Sequence, residues 1–188
     1  ERAGVDIIRH PSFGHDTETR MNNMLSMIKQ LRAVAPNILL NPFLEPPIVA
    51  ESDESVIRWS TLAMGAGADI VLALAITPKR VEAMAKQRIP VFCHVGLSPY
   101  WYVEWTGGYV RVGKTAEDAL KIYQEAHDLQ EAGAAMLTIE MTSREVTAEI
   151  AKRLRIPVLS IAGGAGADGA ELLHADLLGV SPAPIPKH

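Results

Sequence analysis

The chain is poor in several things, and each shortage excludes a class of protein. It has one cysteine, Cys93, so no internal disulfide framework exists and a reducing, cytoplasmic compartment is expected. No apolar run reaches the roughly 18 residues needed to cross a bilayer. Basic residues are outnumbered, 18 Lys and Arg against 22 Asp and Glu, for a net charge of −4 and a pI near 5.9. There is no basic stripe, which argues against a dedicated nucleic-acid binder. Aromatics make up only 5% of residues, yet Tyr100, Trp101, Tyr102, Trp105 and Tyr109 are five of the seven Trp and Tyr. No methionine precedes Glu1, and Pro182–His188 stops without a closing helix, so the chain reads as part of a longer protein, truncated at both ends.

What is present is an ordinary globular composition, 48% apolar and 21% charged, in 188 residues that suit a single domain spanning 1–188. Short apolar runs alternate with longer amphipathic ones. The runs at Val5–Ile8, Ile38–Leu44, Asp69–Ala75, Pro90–His94, Ala135–Met141 and Pro157–Ala162 predict strands, with a weaker one at Leu177–Val180. Helical patterns fall between them at Thr19–Val34, Glu54–Gly65, Pro78–Gln87, Ala116–Ala132 and Ser143–Leu154. The methionines Met21, Met24 and Met27 read as core. Strict alternation implies right-handed βαβ units and a parallel sheet. Seven strands, with others lost at the ends, suit a (β/α)8 TIM barrel. A doubly wound sheet is the alternative, but no G-x-G-x-x-G directly follows a strand.

In such a barrel the chemistry sits at the C-terminal strand ends. Those ends here carry His10-Pro11-Ser12, Asn41-Pro42-Phe43, Leu74-Ala75, His94, Glu140 and Ala162-Gly163-Gly164. Glu140 closes the apolar run Ala135–Ile139, and a carboxylate in apolar surroundings becomes a usable base or acid near neutrality. A salt-bridged or helix-capping role beside Ser143 is the competing reading. His94 suits a substrate carbonyl or carboxylate, or else a buried ring tied to a backbone carbonyl. Cys93 reads as an inert packed thiol, because no base is visibly paired with it. The glycines of Gly163-Gly164-Ala165-Gly166 either let backbone N–H groups approach an anion or form a plain flexible turn.

The segment Cys93-His94-Val95-Gly96-Leu97-Ser98-Pro99, followed by Gly107-Gly108-Tyr109-Val110-Arg111-Val112-Gly113, resembles the ketopantoate hydroxymethyltransferase family, with its G-H-x-G-L-T-P and G-G-Y-x-V-x-G patterns. Ser12 and Gly14 match the family's G-D-S-x-G, and Glu140 matches its V-L-E. Asp168-Gly169 and Asp176-Leu177-Leu178-Gly179 match its later motifs. The resemblance implies a barrel of the phosphoenolpyruvate mutase and isocitrate lyase type. It implies transfer of a hydroxymethyl group from 5,10-methylenetetrahydrofolate to 3-methyl-2-oxobutanoate through an enolate, in pantothenate biosynthesis. Glu140 would then move the proton, Ser12 and His94 would hold the small α-keto acid, and the chain would assemble into a homo-oligomer. A lyase or decarboxylase of the same superfamily, or a non-catalytic ligand-binding paralogue, are the alternatives.

The family's magnesium ligands are where this chain departs. Pro11 stands in place of the first aspartate, Asn41 in place of the second and Leu74 in place of the glutamate. Asn41 is the one position left that offers an oxygen. Magnesium favours hard, preferably anionic donors in an octahedral shell, so these exchanges argue against the ion here. Glu45, Asp16 and His15 are other donors nearby in sequence, without a supporting spacing. The aromatic loop Tyr100–Trp105 also departs from the family; it suits stacking of a flat ligand, a lid or subunit packing.

Overall fold

The computed structural model describes residues 4–44, 46–97 and 108–180. Within them strands and helices alternate as the sequence predicts, except that two helices follow the second strand and no helix separates the last two strands. They run β1 (Ile7–His10), α1 (Thr17–Val34), β2 (Leu39–Leu44), α2 (Pro46–Glu51), α3 (Asp53–Ala66), β3 (Val71–Ala73), α4 (Pro78–Lys86) and β4 (Val91–Gly96). Then come α5 (Ala116–Glu131), β5 (Met136–Glu140), α6 (Arg144–Arg153), β6 (Val158–Ile161), β7 (Gly169–Ala170) and α7 (His174–Leu177). Backbone contacts sort them into two compact units, Glu1–His94 with His127–Met136, and Val95–Ala126 with Leu137–His188. No helix among the described residues is long and apolar enough to cross a membrane.

In the first unit β1, β2, β3 and β4 pair in sequence order, all parallel. Register sorts their side chains onto two faces, because directly paired residues of parallel strands point the same way. Leu40, Leu44, Val71, Ala73, Val91 and Cys93 share one face and are buried. The other face carries Arg9, Asn41, Phe43, Leu72 and Phe92. Arg9 lies over the Phe92 ring, 4.8 Å from its centroid, although β1 and β4 are three strand spacings apart. A flat sheet would separate them by roughly 14 Å. The sheet of this unit is therefore curled, with Arg9 and Phe92 on its concave side.

Local signals set the helix ends. Asp16 caps α1, its carboxylate accepting from the Thr19 amide at 2.7 Å and the Thr19 hydroxyl at 3.0 Å. Ser52 caps α3 through the Ser55 amide, and Gly67, at φ +114°, ends it in a left-handed turn. Arg32 ties the αβ turns together. It donates to the carbonyls of Gly67, Pro36 and Ile38 and pairs with the Asp69 carboxylate, which also accepts from the Leu40 amide at 2.8 Å. The core stripe of α1 is Met21, Met24 and Ile28; Met27, expected in the core, is 37% exposed because it lies off that stripe.

In the second unit β5, β6 and β7 are parallel neighbours. The Asp168 carboxylate accepts from the Val158 amide at 2.8 Å, and the Asp168 amide donates to the Val158 carbonyl at 2.9 Å. That pairing brings Gly169 and Ala170 beside β6. The strand expected at Leu177–Val180 is instead the turn of helix α7 and its end, and the last strand is β7. Strand β1 also lies two residues later than the apolar run suggests, which places Arg9 and His10 inside it.

Candidate functional site

Three of the expected positions fall in the first unit. Ser12 follows β1 and is buried; His94 is buried on β4, and alternation puts it on the Phe92 face. Asn41 was expected at the C-terminal end of its strand. It sits third in a six-residue strand, level with Arg9 of β1. Its side chain is fully buried, and among the described residues neither amide atom has a hydrogen-bond partner. An orphaned buried amide costs about 1–3 kcal/mol. Sequence reasoning passed over Arg9. Its signal was a basic residue one position before the end of a short strand that begins with two isoleucines.

His10 is buried, and its pKa is lowered from the ordinary 6.5 by desolvation, which the backbone at Pro11 partly opposes. The imidazole is thus biased to the neutral form.

The fit of a magnesium ion can be tested on these donors. Pro11 has no donor side chain, Leu74 is a buried hydrocarbon, and Asn41 offers one neutral oxygen. Arg9, a cation, stands level with it. Asp16 is committed to capping α1 and contacts His15 at 2.8 Å. Among the described residues no group of three His, Cys, Asp or Glu is placed to hold a metal ion. Glu45, Ser98 and the aromatic loop Tyr100–Trp105 lie outside the described residues. The donors that are described do not fit magnesium.

Glu140 lies in the second unit, half-buried at the end of β5. Two segments dock on it. The Leu97 amide donates to the Glu140 carbonyl at 2.9 Å, and the Val112 amide to the Met141 carbonyl at 2.9 Å. Val112 also bridges to Thr142, and the Arg111 guanidinium donates to the Thr142 carbonyl at 3.2 Å. Both glycine-bearing segments singled out in the sequence thus end on residues 140–142. Gly96, at φ +92°, allows it: a β-carbon there would meet the Glu140 carbonyl oxygen and the Thr142 hydroxyl. Met141 follows in the left-handed region at φ 49°. Ser143 is the residue at the N-terminus of α6, and its hydroxyl donates to the Gly113 carbonyl at 3.4 Å.

On the Glu140 face of β5 lies buried Thr138, whose hydroxyl donates to Glu171 at 2.9 Å. This second carboxylate was not anticipated, because a two-residue strand of Gly and Ala gives no pattern from which to assign its successor a face. A cleft of about 440 Å³ opens beside Gly96, with Arg111, Lys114 and Lys121 facing Asp118 and Glu125. The glycine turn after β6 lies close against α6. A β-carbon on Gly163 would meet Thr147 Oγ1 at 2.9 Å, and one on Gly166 would meet Ala148 Cβ at 2.5 Å, so the turn packs directly on α6.

Comparison with known proteins agrees with this architecture. Residues 11–188 match the family model of ketopantoate hydroxymethyltransferase. The chain is 41% identical over 184 residues to the 3-methyl-2-oxobutanoate hydroxymethyltransferase of Hyperthermus butylicus, covering 97% of this chain and 63% of that one. It is 32% identical over 198 residues to the Geobacillus thermodenitrificans enzyme of the same name, covering 100% and 71%. Among solved structures, a putative lyase/mutase from Burkholderia cenocepacia superposes with a TM-score of 0.64 at 17% identity, over 89% of this chain and 68% of that one. A 2,3-dimethylmalate lyase of the PEP mutase/isocitrate lyase superfamily gives 0.60 at 16%, over 93% and 63%. These likenesses show the fold, the α/β barrel class expected from the alternating pattern. By the match along nearly its whole length, the chain belongs to the ketopantoate hydroxymethyltransferase family.

Proposed function

We propose that this protein transfers a hydroxymethyl group to 3-methyl-2-oxobutanoate, in the synthesis of pantothenate; the chain spans about two thirds of the length of the curated relatives it matches. The observation that carries the reading is the place of Glu140. The family's acid is retained at a strand end, and both glycine-bearing family segments are fastened to the residues that follow it.

In this reading the Glu140 carboxylate takes the proton from C3 of the keto acid, leaving an enolate. Its C3 then bonds to the methylene carbon of 5,10-methylenetetrahydrofolate, the two carbon–nitrogen bonds to that carbon break, water supplies the hydroxyl, and tetrahydrofolate leaves. Ser12 and His94 bind the substrate's polar end. No step is routed through magnesium, because the described donors do not fit it.

Proton NMR of 3-methyl-2-oxobutanoate in heavy water tests this. The C3 proton signal is expected to disappear with the wild-type protein and to persist with Glu140→Gln. Persistence with wild type would refute the reading.

A further inference from the structure

An α-keto acid brings a carboxylate, and its enolate adds a second negative oxygen. Something must supply the positive charge. In the first unit the only side chains of the family's metal positions that survive chemically reduce to the Asn41 amide, yet the concave face of the sheet carries a cation the sequence patterns did not flag. Arg9 and Asn41 are directly paired residues of β1 and β2, so their side chains leave the sheet on the same face. The Arg9 guanidinium is held over Phe92, a fully buried ring. Asn41 is itself fully buried, with both amide atoms lacking a partner among the described residues. His94 shares that face, two residues beyond Phe92.

We propose that Arg9 and Asn41 form an anion subsite that holds the carboxylate of the α-keto acid by charge and hydrogen bonds, where the family uses a metal ion. A guanidinium fork matches the two oxygens of a carboxylate. The Asn41 Nδ2 group adds a neutral donor, and its Oδ1 accepts from a water or a hydroxyl that enters with the ligand. A guanidinium and a magnesium ion are also poor neighbours, so the subsite and the ion are alternatives. The proposal rests on the keto-acid reading above for the ligand's class, and it extends that reading to a binding mode.

Titration calorimetry of the full-length protein in the presence of a chelator tests it, with three probes: 3-methyl-2-oxobutanoate, oxalate, and the neutral ketone 3-methyl-2-butanone. Both anions are expected to bind without metal, and added magnesium is expected to change Kd by less than about twofold. Arg9→Met should weaken both anions on the order of 10- to 100-fold and leave the ketone unchanged, as expected for losing a charge-assisted pair. Arg9→Lys, which keeps the charge and loses the fork, should fall between. Asn41→Leu should weaken the anions about tenfold while raising the melting temperature, since it removes the orphaned amide. Should Arg9→Met fail to fold, the Arg9→Lys and Asn41→Leu arms still decide. Binding of either anion only with magnesium, no binding of either by wild type, or equal affinities across the variants would overturn the subsite. Arg9-dependent binding of oxalate without C3 proton exchange in 3-methyl-2-oxobutanoate supports the subsite and refutes the hydroxymethyl-transfer reading. Exchange that survives Arg9→Met at the wild-type rate does the reverse.

Discussion

A β-carbon placed on Gly96 would lie 2.3 Å from the carbonyl oxygen of Glu140. The strand end that carries the candidate base is thus touched by backbone on a side where no other residue type fits. Gly96→Ala meets both this contact and a φ of +92°. It is expected to destabilise the protein by about 2–4 kcal/mol and to slow C3 proton exchange. Thermal unfolding together with the NMR exchange assay checks it; a wild-type melting temperature would show the contact is easily relieved.

Ala162 sits at φ 53° immediately after β6. A left-handed alanine costs about 1 kcal/mol against glycine, which adopts the region freely, less the entropy glycine gains when unfolded. Ala162→Gly should therefore leave stability unchanged or raise it by up to about 1 kcal/mol. Urea denaturation reads this directly. A loss of more than about 1 kcal/mol would mean that the Ala162 methyl packs against something.

His10 predicts a pH dependence. Burial lowers its native pKa below the ordinary 6.5, so the unfolded chain binds a proton that the native state still refuses. The unfolded state then holds more protons in the window just below pH 6.5, and stability rises with pH there. It is complete above about pH 7 and declines as pH falls through 6.5 toward the depressed native value. Melting temperatures between pH 7.5 and 5.5 should drop more steeply for wild type than for His10→Gln. The depressed carboxylates Asp16, Glu82 and Glu149 lose their contributions only at lower pH, so they leave this window clear. Equal slopes would refute the assignment.

Arg32→Ala removes the donors that serve the Gly67, Pro36 and Ile38 carbonyls and the partner of Asp69. The expected cost is about 2–3 kcal/mol, typical of part-buried bonds to a charged group. Arg32→Lys should recover less than half, because one ammonium cannot reach carbonyls on both sides of the turn. Denaturation midpoints of the two variants decide it.

The barrel class was legible because Leu39–Leu44 and Val91–Gly96 are short, mostly apolar runs between amphipathic stretches, as expected of strands covered on both faces. Glu140 was legible for a related reason, an acid closing such a run. Arg9 was not. Val5 and Ile7-Ile8 drew the strand forward by two residues, while the pairing of Ile7–His10 with Leu39–Pro42 places the polar Arg9 and His10 within it. Tertiary register, which no local pattern encodes, overrode the hydrophobic signal. The final strand failed in the opposite direction. Leu177, Leu178 and Val180 look like a strand, yet all are exposed, 65–71%. The strand that forms, Gly169–Ala170, has almost no intrinsic β preference and depends on the Asp168 bond to Val158. The docking of Gly96 and Val112 on residues 140–142 was likewise invisible, since it joins segments far apart in the chain.

The packing of the glycine turn on α6 has an evolutionary reading. Gly166 and Ala148 meet so closely that neither position has room to grow while the other keeps its size. The same holds for Gly163 with Thr147. Enlarging residue 148 would require a shift of the turn's backbone, and replacing Gly166 would require a shift of the helix. Positions 148 and 166 are therefore expected to vary together across relatives, so that the spacing of the turn is tied to the width of a neighbouring helix.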